Sequence, residues 1–226
     1  MTTRLTQAIV VAAAVVPAWV QSAVGQRPTD AGAPVEIEQR VYETGPLTRG
    51  DFQADIPAED RGLDAWTTSD LKYRYRYEVR VAGRRATAWV TQVDVDAAVI
   101  PSESWNRQPD NLSLLDHEQG HFDLTQIAAL QARLHFAQQR ITRNAPSVEA
   151  AVRSIETELQ QKMGQSLDEL RRQHEEYDRL TNHGRVSSRQ LEQRRLQQQQ
   201  RANLTQQWQN RQAPGAKARR AAPDGQ

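Results

Sequence analysis

The hydrophobic period of this chain changes once, near Pro109, and that change limits the folds open to it. Before Pro109 the apolar residues alternate. Leu71, Tyr73, Tyr75, Tyr77, Val79 and Val81 are separated by Lys72, Arg74, Arg76, Glu78 and Arg80. A period of two predicts a strand with one buried face and one wet face. Ala82-Gly83-Arg84-Arg85 predicts a tight turn. Beyond it Trp89, Thr91, Val93, Val95, Ala97 and Val99 are expected to share one face of a returning strand. The Tyr and Trp stripe reads as sheet packing, because large rings mainly supply buried area. Val35 and Ile37 suggest one more short strand.

After Pro109 the period is that of helices. Asp110, Asn111 and Ser113 offer N-cap side chains, and Ser113 with Asp116 resembles a capping box with Asp in the place of Glu. Leu114, Leu115, His117, His121, Leu124 and Ala128 mark a helix to about Gln138, which Asn144-Ala145-Pro146-Ser147 breaks. A second helix runs from Val148 to about Leu180, with Val152, Ile155, Leu159, Met163, Leu167, Leu170 and Tyr177 three or four apart. Gly164 is a weak point in it, and Asn182-His183-Gly184 is a stop signal. These elements predict an α+β domain over 35–184: a small antiparallel sheet followed by two long helices.

The two ends read differently. Met1 to about Gly25 has the form of a cleavable export signal: Arg4, an uncharged apolar run from Ala8 to Val20, then small residues at Ala23-Val24-Gly25. Pro17 interrupts that run, which is short of the roughly 18–20 residues that span a bilayer comfortably; an uncleaved anchor is the alternative. The expected location is therefore the periplasm or the exterior. Residues 26–34 are a Pro/Gly linker. Residues 185–226 are rich in Gln and Arg, with nine Lys or Arg against Glu192 and Asp224. That composition predicts a partly helical, then disordered tail. A solvated tail is the plainer reading; contact with an anionic envelope polymer or lipid is the sharper one.

Composition narrows the chemistry. With no Cys, the 226-residue chain has no thiol nucleophile, no disulfide scaffold and no Cys-based zinc site. Lys and Arg total 29 against 28 acids, so the chain as a whole is no polyanion binder. The tail also has few aromatics interleaved with its charges, which argues against nucleic acid as a partner.

Asp116-His117-Glu118-Gln119-Gly120-His121 contains H-E-x-x-H. On a helix, His117 and His121 share a face with Cβ atoms about 5–6 Å apart, close enough for both imidazoles to reach one Zn2+. Glu118 flanks an open coordination position, where it is placed to take a proton from water on the metal and pass it to a leaving amine. Gly120 weakens the helix, so it implies a packing or access reason, such as close approach by another backbone. The bland alternative is a pair of histidines that bind nothing.

A catalytic zinc needs a third protein ligand. If the two helices are antiparallel, the end of the second returns beside the first. His183 is the first choice, because a helix terminus leaves it free to aim. Asp178 is the second, as ligand or as the carboxylate that orients a ligating His. His174 lies on the apolar stripe with Leu170 and Tyr177 and reads as a core histidine; His135 reads as a surface residue. Tyr177 is a candidate donor to a developing oxyanion, with simple packing as the plainer role.

Leu114 to Asp123, together with Tyr177-Asp178-x-x-Thr181-x-His183-Gly184, resembles a bacterial family described as predicted secreted zinc-dependent proteases. Gly45-Pro46-Leu47-x-x-x-Asp51-Phe52 and Thr67-Thr68 resemble that family's N-terminal half, and the likeness extends over about 35–207. The resemblance implies a zincin-like metallopeptidase and raises His183 and Asp178 above His174.

The leading expectation is thus an exported zinc metallopeptidase. His117, His121 and His183 hold Zn2+, Glu118 is the general base, and a peptide or protein substrate lies against a sheet edge near Trp89 to Val99. The alternative is a non-catalytic envelope binding protein with a structural zinc and a helical, basic interaction tail. Joint ligation by Asp178 and His183 would favour that alternative, since structural zinc sites are closed by four protein ligands.

Overall fold

A computed structural model describes residues 9–14, 39–58 and 62–212. The expected cleavage segment at 23–25, the linker at 26–34, the strand suggested by Val35 and Ile37, and the tail beyond 212 lie outside the described residues. Seven strands and three long helices follow in order: β1 (Ile9–Ala14), β2 (Arg40–Val41), β3 (Ala65–Trp66), β4 (Ser69–Ala82), β5 (Arg85–Val99), β6 (Trp105–Asn106), α1 (Leu112–Gln138), β7 (Thr142–Ala145), α2 (Val148–Thr181) and α3 (Ser187–Gln212).

The fold is α+β, and its sheet is antiparallel throughout, in the order β1-β4-β5-β2 with β7 also on β5. The long β4–β5 hairpin is its centre. It turns at Gly83, whose φ of 61° suits the two-residue turn between Ala82 and Arg85. Leu71, Tyr73, Tyr75 and Val79 of β4 are buried as the alternation predicts.

The returning strand departs from expectation. Arg76 pairs with Gln92 but Tyr77 pairs with Val90, so Thr91 is an extra residue in β5. Such a bulge reverses which side chains face inward. Val93, Val95, Ala97 and Val99 keep the core face, while Ala86, Ala88 and Val90 take it on the other side of the bulge. Trp89 and Thr91 leave it.

β1 falls within the stretch read as a removable signal. Its backbone pairs with Tyr75–Arg80 along the outer edge of β4.

The helices cover the buried face of the sheet. Asn111, not Ser113, caps α1; its Oδ1 accepts from the amides of Ser113 and Leu114, both at 3.1 Å. Ser147 caps α2 by accepting from the Ala150 amide at 3.2 Å. Between them, Thr142–Ala145, which overlaps the expected break at Asn144-Ala145-Pro146-Ser147, pairs with β5 at Ala86–Trp89. A single α-helix continues through Gly164 to Thr181.

The third helix is the largest addition to the expected architecture of two. Ser187–Gln212 packs along α1 and is fixed by polar contacts, so these residues belong to the folded body. Gln190 Nε2 donates to Ser113 O at 2.9 Å and to Asp116 Oδ2 at 3.2 Å. Arg194 pairs with Asp116, and Arg201 with Asp123 at 3.0 Å. A Gln/Arg-rich helix gains order here because its partners are acids on α1.

Candidate metal centre

His117 and His121 lie one turn apart on α1, both buried. Opposite them α2 runs antiparallel, with Asp178 across from His117 and His174 across from His121. Asp178 Oδ1 is 3.1 Å from His117 Nε2 and 3.0 Å from His121 Nε2. These three residues are the group able to hold a metal ion among the described residues, with ligand atoms within 4.8 Å of one another.

The donor set fits such an ion. Bonds of about 2.0–2.1 Å in tetrahedral geometry place donors roughly 3.3 Å apart, within a few tenths of the two separations from Asp178 to the histidines. Two imidazoles and a carboxylate are donors that several divalent first-row metals accept. A cation would also balance a charge that the site otherwise balances with protons. Burial disfavours the Asp178 carboxylate, but hydrogen bonds from His117 and His121 outweigh it and hold its pKa well below the usual range. Burial likewise opposes charge on His121, yet the Asp178 hydrogen bond and the Glu118 and Asp178 charges raise its pKa overall.

The geometry reverses the expected order of third ligands. Asp178 closes the cluster, while His183 stands just outside it, with Nδ1 3.4 Å from the same Oδ1. The His183 side chain is also 43% exposed, against 3% for that of His117. Asn182, His183 and Gly184 are three successive residues of positive φ, at 49°, 51° and 75°. That conformation is uncommon outside glycine. It follows from the turn that ends α2, in which the His183 amide donates to Asp178 O at 3.0 Å and the Val186 amide to Thr181 O at 2.9 Å. The turn presses Gly184 onto His117, where a Cβ would stand 2.9 Å from Cγ of the ring.

Glu118 is 3% exposed, and its Oε2 accepts from Thr67 Oγ1 at 2.6 Å. Thr67, in the short link between β3 and β4, thereby ties the sheet to the motif. Ser69 and Thr125 repeat that tie at 2.7 Å between their hydroxyls.

Tyr177 does not face the cluster as an oxyanion donor would. Its ring stacks on His117 at 4.9 Å, 13° from parallel, and its hydroxyl lies 3.4 Å from His117 O. Burial and the surrounding acids, Asp116 and Glu118 first among them, raise its pKa. This ring also explains Gly120: a Cβ there would come within 2.5 Å of Tyr177 Cζ. The close approach expected at Gly120 is made by a side chain.

His174, read from the sequence as a core residue, touches a ligand. Its Nδ1 is 2.8 Å from His121 Nδ1. Burial, then the neighbouring His121 charge, push its pKa down to about 3. A signal for it was present, since His174 and Asp178 stand four apart on α2, as His117 and His121 do on α1. His135 lies at the exposed far end of α1, as expected.

Residues quoted for the family resemblance gather around this cluster. Besides Thr67, Leu47 donates its amide to Gln119 Oε1 at 2.7 Å, and buried Thr181 donates to Tyr177 O at 2.8 Å. The chain matches no family model, and neither the curated proteins nor the solved structures contain a significant match to it.

Proposed function

We propose that this chain is an exported, zincin-like zinc metallopeptidase in which His117, His121 and Asp178 hold Zn2+ and Glu118 is the general base. The observation that carries the reading is the convergence of two Nε2 atoms on one Asp178 oxygen, with the buried Glu118 carboxylate next in sequence. A bound Zn2+ supplies a Lewis acid that brings water toward ionisation near neutral pH and polarises a peptide carbonyl. Glu118 takes a proton from the attacking water and delivers it to the leaving amine. Thr67 engages Oε2, which leaves Oε1 to accept that proton. Asp178 contributes the negative charge of the ligand set.

The β5 edge near Trp89 to Val99 is partly covered at both ends. β5 has β4 on one side and β7 and β2 on the other, and Arg133 Nε donates to Val95 O between them. The edge nearest Glu118 is the start of β4. Ser69–Arg74 has no outer strand among the described residues, and cleavage of the signal would remove β1 from Tyr75–Arg80 as well. A peptide or protein substrate gains main-chain hydrogen bonds there by strand addition. Export rests on the N-terminal Arg4 and apolar run. A contact with anionic envelope polymer would fall mainly to the basic residues beyond 212, since Arg194 and Arg201 are engaged with α1.

The test is Glu118→Gln, compared with the parent for metal content and for cleavage of a peptide library. Cleavage should fall at least a hundredfold with about one zinc per chain retained. Equal cleavage by the two proteins removes the peptidase reading.

One observation favours the envelope binding protein with a structural zinc: His183, outside the cluster, stands 3.4 Å from Asp178 Oδ1, and a small shift of the turn at 182–184 would bring it in as a fourth ligand. In that case Glu118→Gln changes nothing, and chelation unfolds the chain.

A further inference from the structure

The ligand set leaves one part-buried contact without a role. His121 Nδ1 and His174 Nδ1 are 2.8 Å apart, with ring centroids at 5.0 Å and planes 28° from parallel. Two ring nitrogens at that distance share one proton, so one donates and the other offers a lone pair. The direction matters to the neighbouring atom. If His174 donates, a neutral His121 carries its own proton on Nε2, the atom that faces Asp178, and has no lone pair to give there. If His121 donates, Nε2 is left as the lone pair.

We propose that His174 is a positioning residue: it accepts the Nδ1–H of His121 and so fixes Nε2 of His121 as the ligating atom. The inference rests on the metal centre proposed above. A ligating imidazole needs a partner at its other nitrogen to set ring orientation and tautomer. His174 is the hydrogen-bond partner that the structure gives His121 Nδ1.

The contrast with His117 sharpens the point. His117 Nδ1 is buried without a hydrogen-bond partner among the described residues. Its ring is instead held by packing, between the Tyr177 ring and Gly184. The two imidazoles are thus oriented by different means, one by a clamp of atoms and one by a hydrogen bond. Substitution at 174 removes the second without touching the first. α2 supplies both parts of the arrangement from one face, with Asp178 one turn beyond His174.

The experiment is zinc affinity of the full chain, by competition with a chelator, for the parent, His174→Leu and His174→Asn. Leu fills much of the volume without an acceptor; Asn places an amide oxygen near the position of Nδ1. His174→Leu should bind zinc about 10–100-fold more weakly, and His174→Asn should stay within a few-fold of the parent. Nitrogen-15 spectra of the zinc-loaded parent give a readout that needs no variant: the His121 proton should sit on Nδ1 and exchange slowly. Equal zinc affinity in folded His174→Leu and parent overturns the proposal, as does a zinc-loaded parent with the His121 proton on Nε2. A parent that binds no divalent ion fails differently, because it removes the metal centre itself and the proposal with it.

Discussion

The two halves of α1 are built on opposite principles. From Leu114 to Gln126 the helix buries the polar His117, Glu118, His121, Asp123, Thr125 and Gln126 beside Leu114, Gly120 and Phe122; from Ile127 to Phe136 it buries only apolar residues, Ile127, Ala128, Ala129, Leu130, Ala132, Leu134 and Phe136. Most polar groups in the first half, His117 Nδ1 and Gln126 Oε1 excepted, have partners from several elements among the described residues: Thr67 on Glu118, Ser69 on Thr125, Asp178 on both histidines, and Tyr42 on Asp123 at 2.6 Å. The second half joins the core under the sheet through Ala128, Ala129, Ala132 and Phe136. An unpaired buried polar group costs about 1–3 kcal/mol, so a helix that was polar along its whole length would have little net stability to spare. The apolar half anchors α1, and the anchor lets the other half carry a cluster selected for chemistry.

That division predicts unequal tolerance. Ile127→Asp puts an uncompensated carboxylate at a position that is 0% exposed. It should cost about 4 kcal/mol or more and unfold the chain at room temperature, as read by circular dichroism. Glu118→Gln, nine residues earlier and also buried, keeps an acceptor for Thr67 and should melt within about 1 kcal/mol of the parent. If the two variants were equally destabilised, the halves would not differ as described.

Gly120→Ala sharpens the comparison because two effects oppose each other. Helix propensity favours Ala by about 1 kcal/mol. The added Cβ, however, meets the Tyr177 ring, which is pinned between α1 and α2. Overpacking of this kind costs about 1–3 kcal/mol, so the variant should be less stable than the parent by up to about 2 kcal/mol and bind zinc more weakly as Tyr177 pushes on His117. In the apolar half the sign is simple, and Ala129→Gly should destabilise through both propensity and lost packing. Thermal melts of the two variants, with zinc titrations, decide it; a stabilised Gly120→Ala would mean that Tyr177 yields freely.

Legibility in the sequence follows the range of the interaction involved. H-E-x-x-H was readable because residues four apart meet on any helix, whatever surrounds it. The hairpin was readable from alternation, but Thr91 was not readable as a bulge, since an added residue has no local signature and every side chain beyond it changes face. β7 is four residues long, too short to show a period. α3 looked solvated because its Gln and Arg residues have no partners nearby in sequence; Asp116 and Asp123, which fix it, are some seventy or more residues away. The choice between Asp178 and His183 depended on the left-handed turn at 182–184, a matter of how α2 ends against His117. His174 was visible as half of a second i, i+4 pair, but its apolar neighbours Leu170 and Tyr177 made the core reading more natural.

The smallest expected effect lies at the far end of the apolar half. His135 is in the last turn of α1, where the helix dipole favours a charged imidazole. Partial burial and then the Lys162 charge on α2 act the other way and lower its pKa from 6.5. His135 Nε2 also lies 2.8 Å from Gln139 Nε2, an arrangement in which the neutral ring accepts from the amide. The sign follows directly. As pH falls through 6.5 the unfolded chain takes up a proton before folded His135 does, so this residue's contribution is complete above 6.5 and declines below it, until the folded group also titrates. The side chain is exposed, so solvent screens the effect. Nuclear magnetic resonance titration should give His135 a midpoint below 6.5, moving up in Lys162→Met, while stability near neutral pH changes little. A His135 midpoint at or above 6.5 would show that the helix terminus dominates there, and that even the apolar half of α1 has its end set by electrostatics.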